Sequence, residues 1–343
     1  MPLGVVRDPV FQEHDTGPYH CEVGGRLAAI DQAIAQWPGR EVLAALPLRP
    51  ASEDELKRVH QPSHLHRVAS TEGHSVGLDP DTICSPRSHE IALLAAGSLI
   101  DLCDEALSGS IRHGFALVRP PGHHATATRA MGFCLYNNIA AAAAHLVAQR
   151  GLERVLIVDW DVHHGNGTED IFYAEPRVLY FSTHQSPLYP GTGQVGAVGQ
   201  DAAKGMNINV PLSPGRGDLE HLQAFERILL PVARQFRPQF ILVSAGYDAH
   251  REDPLGSMMI SSTGYAALTQ LVADISEEFC PGRVVLTLEG GYNQAALGRS
   301  VVACLQALNG RREEELIDQS LGADTPAEVE RGMKAAGNFW ELG

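Results

Sequence analysis

The segment Asp159-Trp160-Asp161-Val162-His163-His164 carries two carboxylates and an imidazole at alternate positions. Alternate side chains of extended chain share a face, so Asp159, Asp161 and His163 point one way while Trp160 and Val162 pack the other way. That face is half of a metal site. A metal site open for catalysis needs three protein ligands and one free position. Asp248, in Ser-Ala-Gly-Tyr-Asp-Ala-His, supplies the third ligand and leaves Asp159 to act behind the ligands. Two carboxylates and one imidazole suit zinc, iron, cobalt or manganese. The plain alternative is an aspartate-rich, solvated turn. The apolar run before Asp159 and the glycine-rich turn after His164 argue against it.

A second cluster is Arg-Pro-Pro-Gly-His-His, residues 119–124. Its prolines fix the backbone and so hold the adjacent imidazoles of His123 and His124 in a set direction. Metal-assisted hydrolysis needs a group of near-neutral pKa that takes a proton from water and returns it to the leaving amine. A carboxylate such as Asp159 behind one of the two rings fixes its tautomer and raises its basicity. Tyr292 follows the glycine pair Gly290-Gly291, and its phenol can donate to an oxyanion opposite the metal. Neither phosphate-binding glycine fingerprint, G-x-x-x-x-G-K-[ST] or G-x-G-x-x-G, is present.

These residues need elements to position them. Short unbroken apolar runs occur at 114–118, 154–158, 178–182, 240–244 and 283–288, as expected of strands buried on both faces. Helical spacing fills 138–150, 219–236 and 264–279, with Pro231 expected to bend or shorten the second. Strands alternating with helices predict an α/β fold with a central, mostly parallel sheet flanked by helices. Ligands of such sheets bind beyond the carboxyl ends of the strands. Gly, His, Asp and Tyr gather after all five runs. The 343 residues read as one domain whose charged helical tail, 309–343, packs on the body or on a neighbouring subunit.

Composition narrows the partners. Hydrophobic residues make up 44% and charged residues 20%, enough apolar material for a large core. The net charge of −15, without a Lys/Arg-rich run, argues against a nucleic-acid partner. Six cysteines without a C-x-x-C pair read as reduced thiols of a cytoplasmic protein, and no signal peptide or membrane span is expected.

Six segments, RPPGHH (119–124), MGFCLYNN (131–138), DWDVHHGNGT (159–168), LYPGTG (188–193), SAGYDAHREDPLG (244–256) and LEGGY (288–292), occur in order. With them the chain resembles the histone deacetylase family, class II-like bacterial amidohydrolases above all, from about residue 14 to about residue 308. The resemblance implies an arginase/deacetylase-like fold and one catalytic zinc on Asp161, His163 and Asp248. It makes His124 the principal base and acid, His123 its electrostatic partner held by Asp159, and Tyr292 the residue that polarises the carbonyl. It makes Gly132, Phe133 and Tyr189 the walls of a narrow acyl-lysine channel with Leu255 at its rim, and Gly290 and Gly291 join this substrate-binding set. It also implies a potassium ion near Asp159, Asp161, His163 and Ser182. Asn166 stands where class I members carry an aspartate, and the stretch 16–26 departs from the usual His-Pro-Glu pattern at the substrate entrance.

The implied reaction is removal of an acetyl or other acyl group from a lysine-like amine, giving acetate and free amine. Leu255, where polyamine-preferring relatives have glutamate, points to an acetylated lysine peptide before an acetylpolyamine or other small acylated amine. An arginase-type enzyme would hold two manganese ions. A non-catalytic acetyl-lysine binding module would not need His123, His124 and Tyr292 together. A homo-oligomer is left open.

Overall fold

The structure, a computed structural model, describes residues 1–342. Eight strands form one parallel sheet: β1 (Leu3–Val6), β2 (Leu43–Ala45), β5 (Gly114–Ala116), β6 (Val155–Asp159), β7 (Val178–Gln185), β8 (Asn207–Leu212), β9 (Phe240–Ala245) and β10 (Val284–Leu288). A separate two-residue hairpin pairs β3 (Val76–Gly77) with β4 (Ile83–Cys84). The sheet order is β2-β1-β5-β10-β9-β6-β7-β8, and every adjacent pair runs parallel. The residues of β6, β9 and β10 are all buried, because helices cover both faces.

All five expected runs are strands. The second ends one residue later than its apolar stretch, so Asp159 closes β6 and pairs in register with Ser182 on one side and Ser244 on the other. Strands β1, β2 and β8 carry weaker patterns. The first two are short, and β8 interrupts its apolar residues with Asn207, Asn209 and Pro211. From β6 the chain adds β7 and β8 in one direction, then returns to place β9 and β10 on the other side of β6. The connections leaving β6 and β9 therefore run in opposite directions and leave a crevice at the carboxyl ends of these strands.

Residues within or just after the recognisable segments also cap the helices that follow. Asn137 accepts from the Ala140 N–H at the start of helix 138–148, and Asn293 from the Ala296 N–H at the start of helix 294–308. Pro231, expected to bend or shorten its helix, does not shorten it. The helix runs from Asp218 to Phe236, and its turn Phe225–Leu229 has the wider π form. A π turn just ahead of the proline makes room for a ring that would otherwise meet the carbonyl four residues back.

The tail forms helices Glu314–Gly322 and Ala327–Ala336 and packs on the body. Gln223 donates to the Ser320 and Ala323 carbonyls (2.9 Å each), Arg216 pairs with Glu328 at 3.2 Å, and the Trp340 indole donates to Gly205 O at 2.8 Å. All six cysteines are free, and no helix among the described residues is long and apolar enough to cross a membrane.

Candidate metal centre and active site

The loop after β6 and the loop after β9 meet at the crevice. Asp161, His163 and Asp248 each turn a ligand atom to one point, with all three atoms within 4.8 Å of one another. His163 Nδ1 faces Asp161 Oδ1 at 3.1 Å and Asp248 Oδ2 at 3.2 Å. The second contact lacks hydrogen-bond geometry, and Asp248 Oδ2 is buried with no hydrogen-bond partner. Burial pushes the Asp248 carboxyl up, and the neighbouring Asp161 carboxylate adds to that push. An unpartnered carboxylate oxygen, a second carboxylate and an imidazole nitrogen converging in a buried space make the donor set a divalent cation requires. The residues fit the ion.

Their backbone is held just as closely. The Val162 N–H donates to Asp248 Oδ1 (2.9 Å), and the Gly290 N–H donates to Asp161 Oδ2 (2.8 Å). A Cβ on Gly290 would stand 2.0 Å from Asp248 Oδ2 and 2.7 Å from Asp161 Oδ2, so the LEGGY turn needs glycine there. Trp160 points away from the site, into the core between Phe225 and Tyr265.

His123 and His124 lie side by side, ring centroids 4.0 Å apart, yet have different partners. His123 Nδ1 meets Asp159 Oδ2 at 3.1 Å, whereas His124 Nδ1 meets Asn166 Oδ1 at 2.8 Å. Burial pushes both imidazoles down. For His123 the carboxylates of Asp159, Asp161 and Glu289 outweigh burial and raise it to about 10. For His124 the positive charge of His123 adds to burial and holds it well below its usual value. The two adjacent rings are thus shifted in opposite directions.

Above the centre lies a cavity of 440 Å³ lined by His123, His124, Gly132, Phe133, His163, Tyr189, Leu255, Gly290 and Tyr292. Asp159, Asp161 and Asp248 are buried behind the lining residues His123 and His163, and Ser182 lies one strand over, bonded to His184. Gly291 stands behind the cavity and gives its carbonyl to Arg26. Phe133 faces Tyr292 edge-on (5.9 Å) and holds a left-handed φ of 70°, with its N–H on Thr82 Oγ1 at 3.2 Å. That conformation is strained for a bulky residue and is kept here by its surroundings. Burial, together with the Asp248 charge, holds the Tyr292 phenol well above its usual value, so it stays a proton donor.

The departing stretch 16–26 does border the entrance. Tyr19, His20 and Cys21 line the mouth with Asp81, and the His20 ring packs edge-on to Phe133 at 4.6 Å. Sequence reasoning passed over the residues beneath it. Glu22 is fully buried and accepts from Arg26 (2.8 Å) and from two nitrogens of Arg119. Arg26 in turn donates to the carbonyls of Glu289 and Gly291 (2.6 Å each) and lies over the Tyr292 ring at 5.0 Å. Glu289 accepts from the N–H groups of Gly122 (2.7 Å) and His123 (3.2 Å), and burial pushes its carboxyl up to about 7. Asp253 accepts from the Tyr292 N–H at 2.6 Å. Glu289 and Asp253 sit inside the quoted segments, which was the available signal.

Comparison with known proteins agrees with this geometry. The family model described as histone deacetylase domain matches residues 20–308. Histone deacetylase 5 of Arabidopsis thaliana is 40% identical over 325 residues, covering 89% of this chain and 49% of that protein. Histone deacetylase-like amidohydrolase of Pseudomonas aeruginosa is 43% identical over 312 residues, covering 90% and 80%. The chain therefore spans about half the length of the plant relative and most of the bacterial one. The crystal structure of the HDA15 HD domain superposes with a TM-score of 0.89 at 38% identity, covering 99% of this chain and 97% of that one. A fold, a buried Asp-His-Asp centre and a sequence match of this extent lead to one conclusion: the chain belongs to the histone deacetylase domain family of hydrolases.

Proposed function

We propose that the chain is a zinc-dependent deacetylase that hydrolyses the acyl amide of a lysine-like amine, releasing acetate and the free amine. One observation carries the reading. The 440 Å³ cavity reaches the Asp161, His163 and Asp248 group through His163 and carries the His124 imidazole and the Tyr292 phenol on its walls. A divalent cation held by those three residues supplies Lewis acidity at the channel floor. His124, neutral and turned by Asn166, takes the proton from the attacking water and passes it to the leaving amine. His123, kept cationic by Asp159, stabilises the negative charge that develops beside it. Tyr292 donates to the developing oxyanion of the substrate carbonyl. Gly132, Phe133, Tyr189, Leu255 and Gly290 hold the acyl-lysine stem and exclude water, with Gly291 fixing the turn beneath them.

On the same reading the whole chain acts as one catalytic domain in the cytoplasm, and a potassium ion sits near Asp159, Asp161, His163 and Ser182. A second reading, an acetylpolyamine substrate, draws on Asp81 at the mouth, whose carboxylate suits a distant ammonium. The test is hydrolysis of an acetyl-lysine peptide and of N8-acetylspermidine before and after chelation, with zinc or cobalt added back. Turnover of neither substrate by zinc-loaded protein, or turnover that survives chelation, refutes the reading. Two stoichiometric divalent transition metals in active protein would refute the single-ion site.

A further inference from the structure

The LYPGTG segment does more than present Tyr189. Its near end is fixed by the sheet, through Gln185 N–H to Val162 O and Ser186 N–H to Leu212 O (2.8 Å each). Its far end rests on two histidines that have no part in the proton transfers above, His164 and His184, with ring centroids 4.8 Å apart. His184 Nε2 donates to Gly193 O at 3.0 Å, and His164 Nδ1 shares a hydrogen bond of 2.7 Å with Thr192 Oγ1. Both rings press on Gly193. A Cβ there would stand 2.4 Å from His184 Nε2 and 2.6 Å from His164 Cγ, and its φ is +80°. The final glycine of the segment is therefore dictated by this clamp.

Behind His164 stands Glu169, buried on the helix Asn166–Phe172. One of its oxygens, Oε2, accepts from His164 Nε2 (3.2 Å), Asn207 Nδ2 (2.7 Å) and Asn209 Nδ2 (2.6 Å). The polar residues that made β8 hard to read as a strand thus serve this carboxylate. A carboxylate only accepts, so it fixes a proton on His164 Nε2 and with it the direction of the ring. The line Glu169, His164, Thr192 ends three residues from Tyr189, whose ring stands edge-on to His124 (5.2 Å) and His163 (6.2 Å).

We propose that Glu169, acting through His164 and Thr192, is a positioning residue that sets the Tyr189 wall and thereby how tightly the channel grips the substrate stem. The inference rests on the acyl-amine reading for its substrate, but not for its geometry. Thr192, the outer end of the line, makes its side-chain hydrogen bond to His164 alone, so loss of its hydroxyl weakens substrate holding and spares the proton transfers. Thr192 is exposed on its other side, which makes its variants compatible with folding.

The test uses metal-loaded protein whose metal content is measured for each variant. Thr192→Val keeps the shape and loses the hydroxyl, whereas Thr192→Ser keeps the hydroxyl. Thr192→Val is expected to raise KM for an acetyl-lysine peptide about tenfold while kcat stays within about threefold, and Thr192→Ser to restore KM. In a Tyr189→Ala background the same Thr192→Val change is expected to move KM by less than about twofold, because its effect runs through the missing ring. A 19F resonance from fluorotyrosine at Tyr189, assigned by Tyr189→Phe, is expected to shift in Thr192→Val and not in Thr192→Ser. An undiminished effect in the Tyr189→Ala background, a loss confined to kcat, or a silent 19F signal overturns the inference. Wild-type protein that hydrolyses no acyl amine while the 19F signal still responds overturns the functional reading instead.

Discussion

Replacing Asn166 by aspartate should move the acid side of the pH–rate profile upward. His123 and His124 make the comparison inside one site: both are buried, adjacent and bonded through Nδ1, one to a carboxylate at 3.1 Å and one to an amide at 2.8 Å. The first is raised to about 10 and the second is held well below its usual value. An opposite charge at this range raises an imidazole by about 1–3 units, because it favours the protonated form. Asn166→Asp places such a charge behind His124. The base then keeps its proton to a higher pH, and the rate lost on acidification is lost sooner. The acid limb of kcat/KM is expected to rise by about 1–3 units, with activity recovering on the alkaline side. The assay is kcat/KM for an acetyl-lysine peptide across the pH range in metal-saturated protein, with Asn166→Ala as comparator. The alanine variant loses the orienting bond, so it should lower the rate at every pH without raising the limb. A limb that stays in place in folded Asn166→Asp protein refutes the assignment of His124 as the titrating base.

Three further outcomes are expected. Glu22→Gln leaves Arg26 and Arg119 buried without their counter-charge, a loss of about 3–5 kcal/mol. At about 2.1 cal/mol/K per residue over 343 residues this lowers Tm by about 4–7 °C in calorimetry, and an unchanged Tm rules out the network. Burial acts to raise Glu22, but Arg119 and Arg26 hold it far below the carboxylate range, so its contribution is complete above the unfolded carboxylate pKa. That contribution is lost as pH falls through the depressed folded value, and the Tm gap between wild type and variant should therefore close only in strong acid. Tyr292→Phe should lower kcat by about 10²–10³ with a far smaller change in KM, and near-full turnover would remove its assigned role. Leu255→Glu should shift the ratio of kcat/KM for N8-acetylspermidine over the acetyl-lysine peptide by about tenfold toward the polyamine, and an unchanged ratio excludes Leu255 from substrate choice.

Much of the candidate site was legible before the fold, because its residues lie in the few positions next to a strand end or a tight turn. Asp161 and His163 follow β6 at alternate positions, and the Gly290-Gly291 pair announces a turn that only small residues can make. Period and apolarity also disclosed the five central strands, whose burial on both faces leaves an unbroken apolar run. The edge elements were not legible. Strand β8 buries Asn207 and Asn209, and their partner is Glu169, 38 and 40 residues away.

Residue type and spacing named candidates, but tertiary structure supplied the geometry in three places. It set the order of the sheet, which brings Asp248 to Asp161 and His163, 87 and 85 residues earlier in the chain, by placing β9 beside β6. It set the opposite pKa shifts of His123 and His124, neighbours in sequence whose partners, Asp159 and Asn166, come from elsewhere in the chain. It also set the long-range supports of the site: Glu22 with Arg119, Arg26 under the Gly291 turn, and Glu169 behind the Tyr189 loop. The reason is the same in each case. Residue type and local spacing fix which groups a turn can present, whereas pKa and side-chain direction depend on which charges the fold brings within a few ångströms in a space without water.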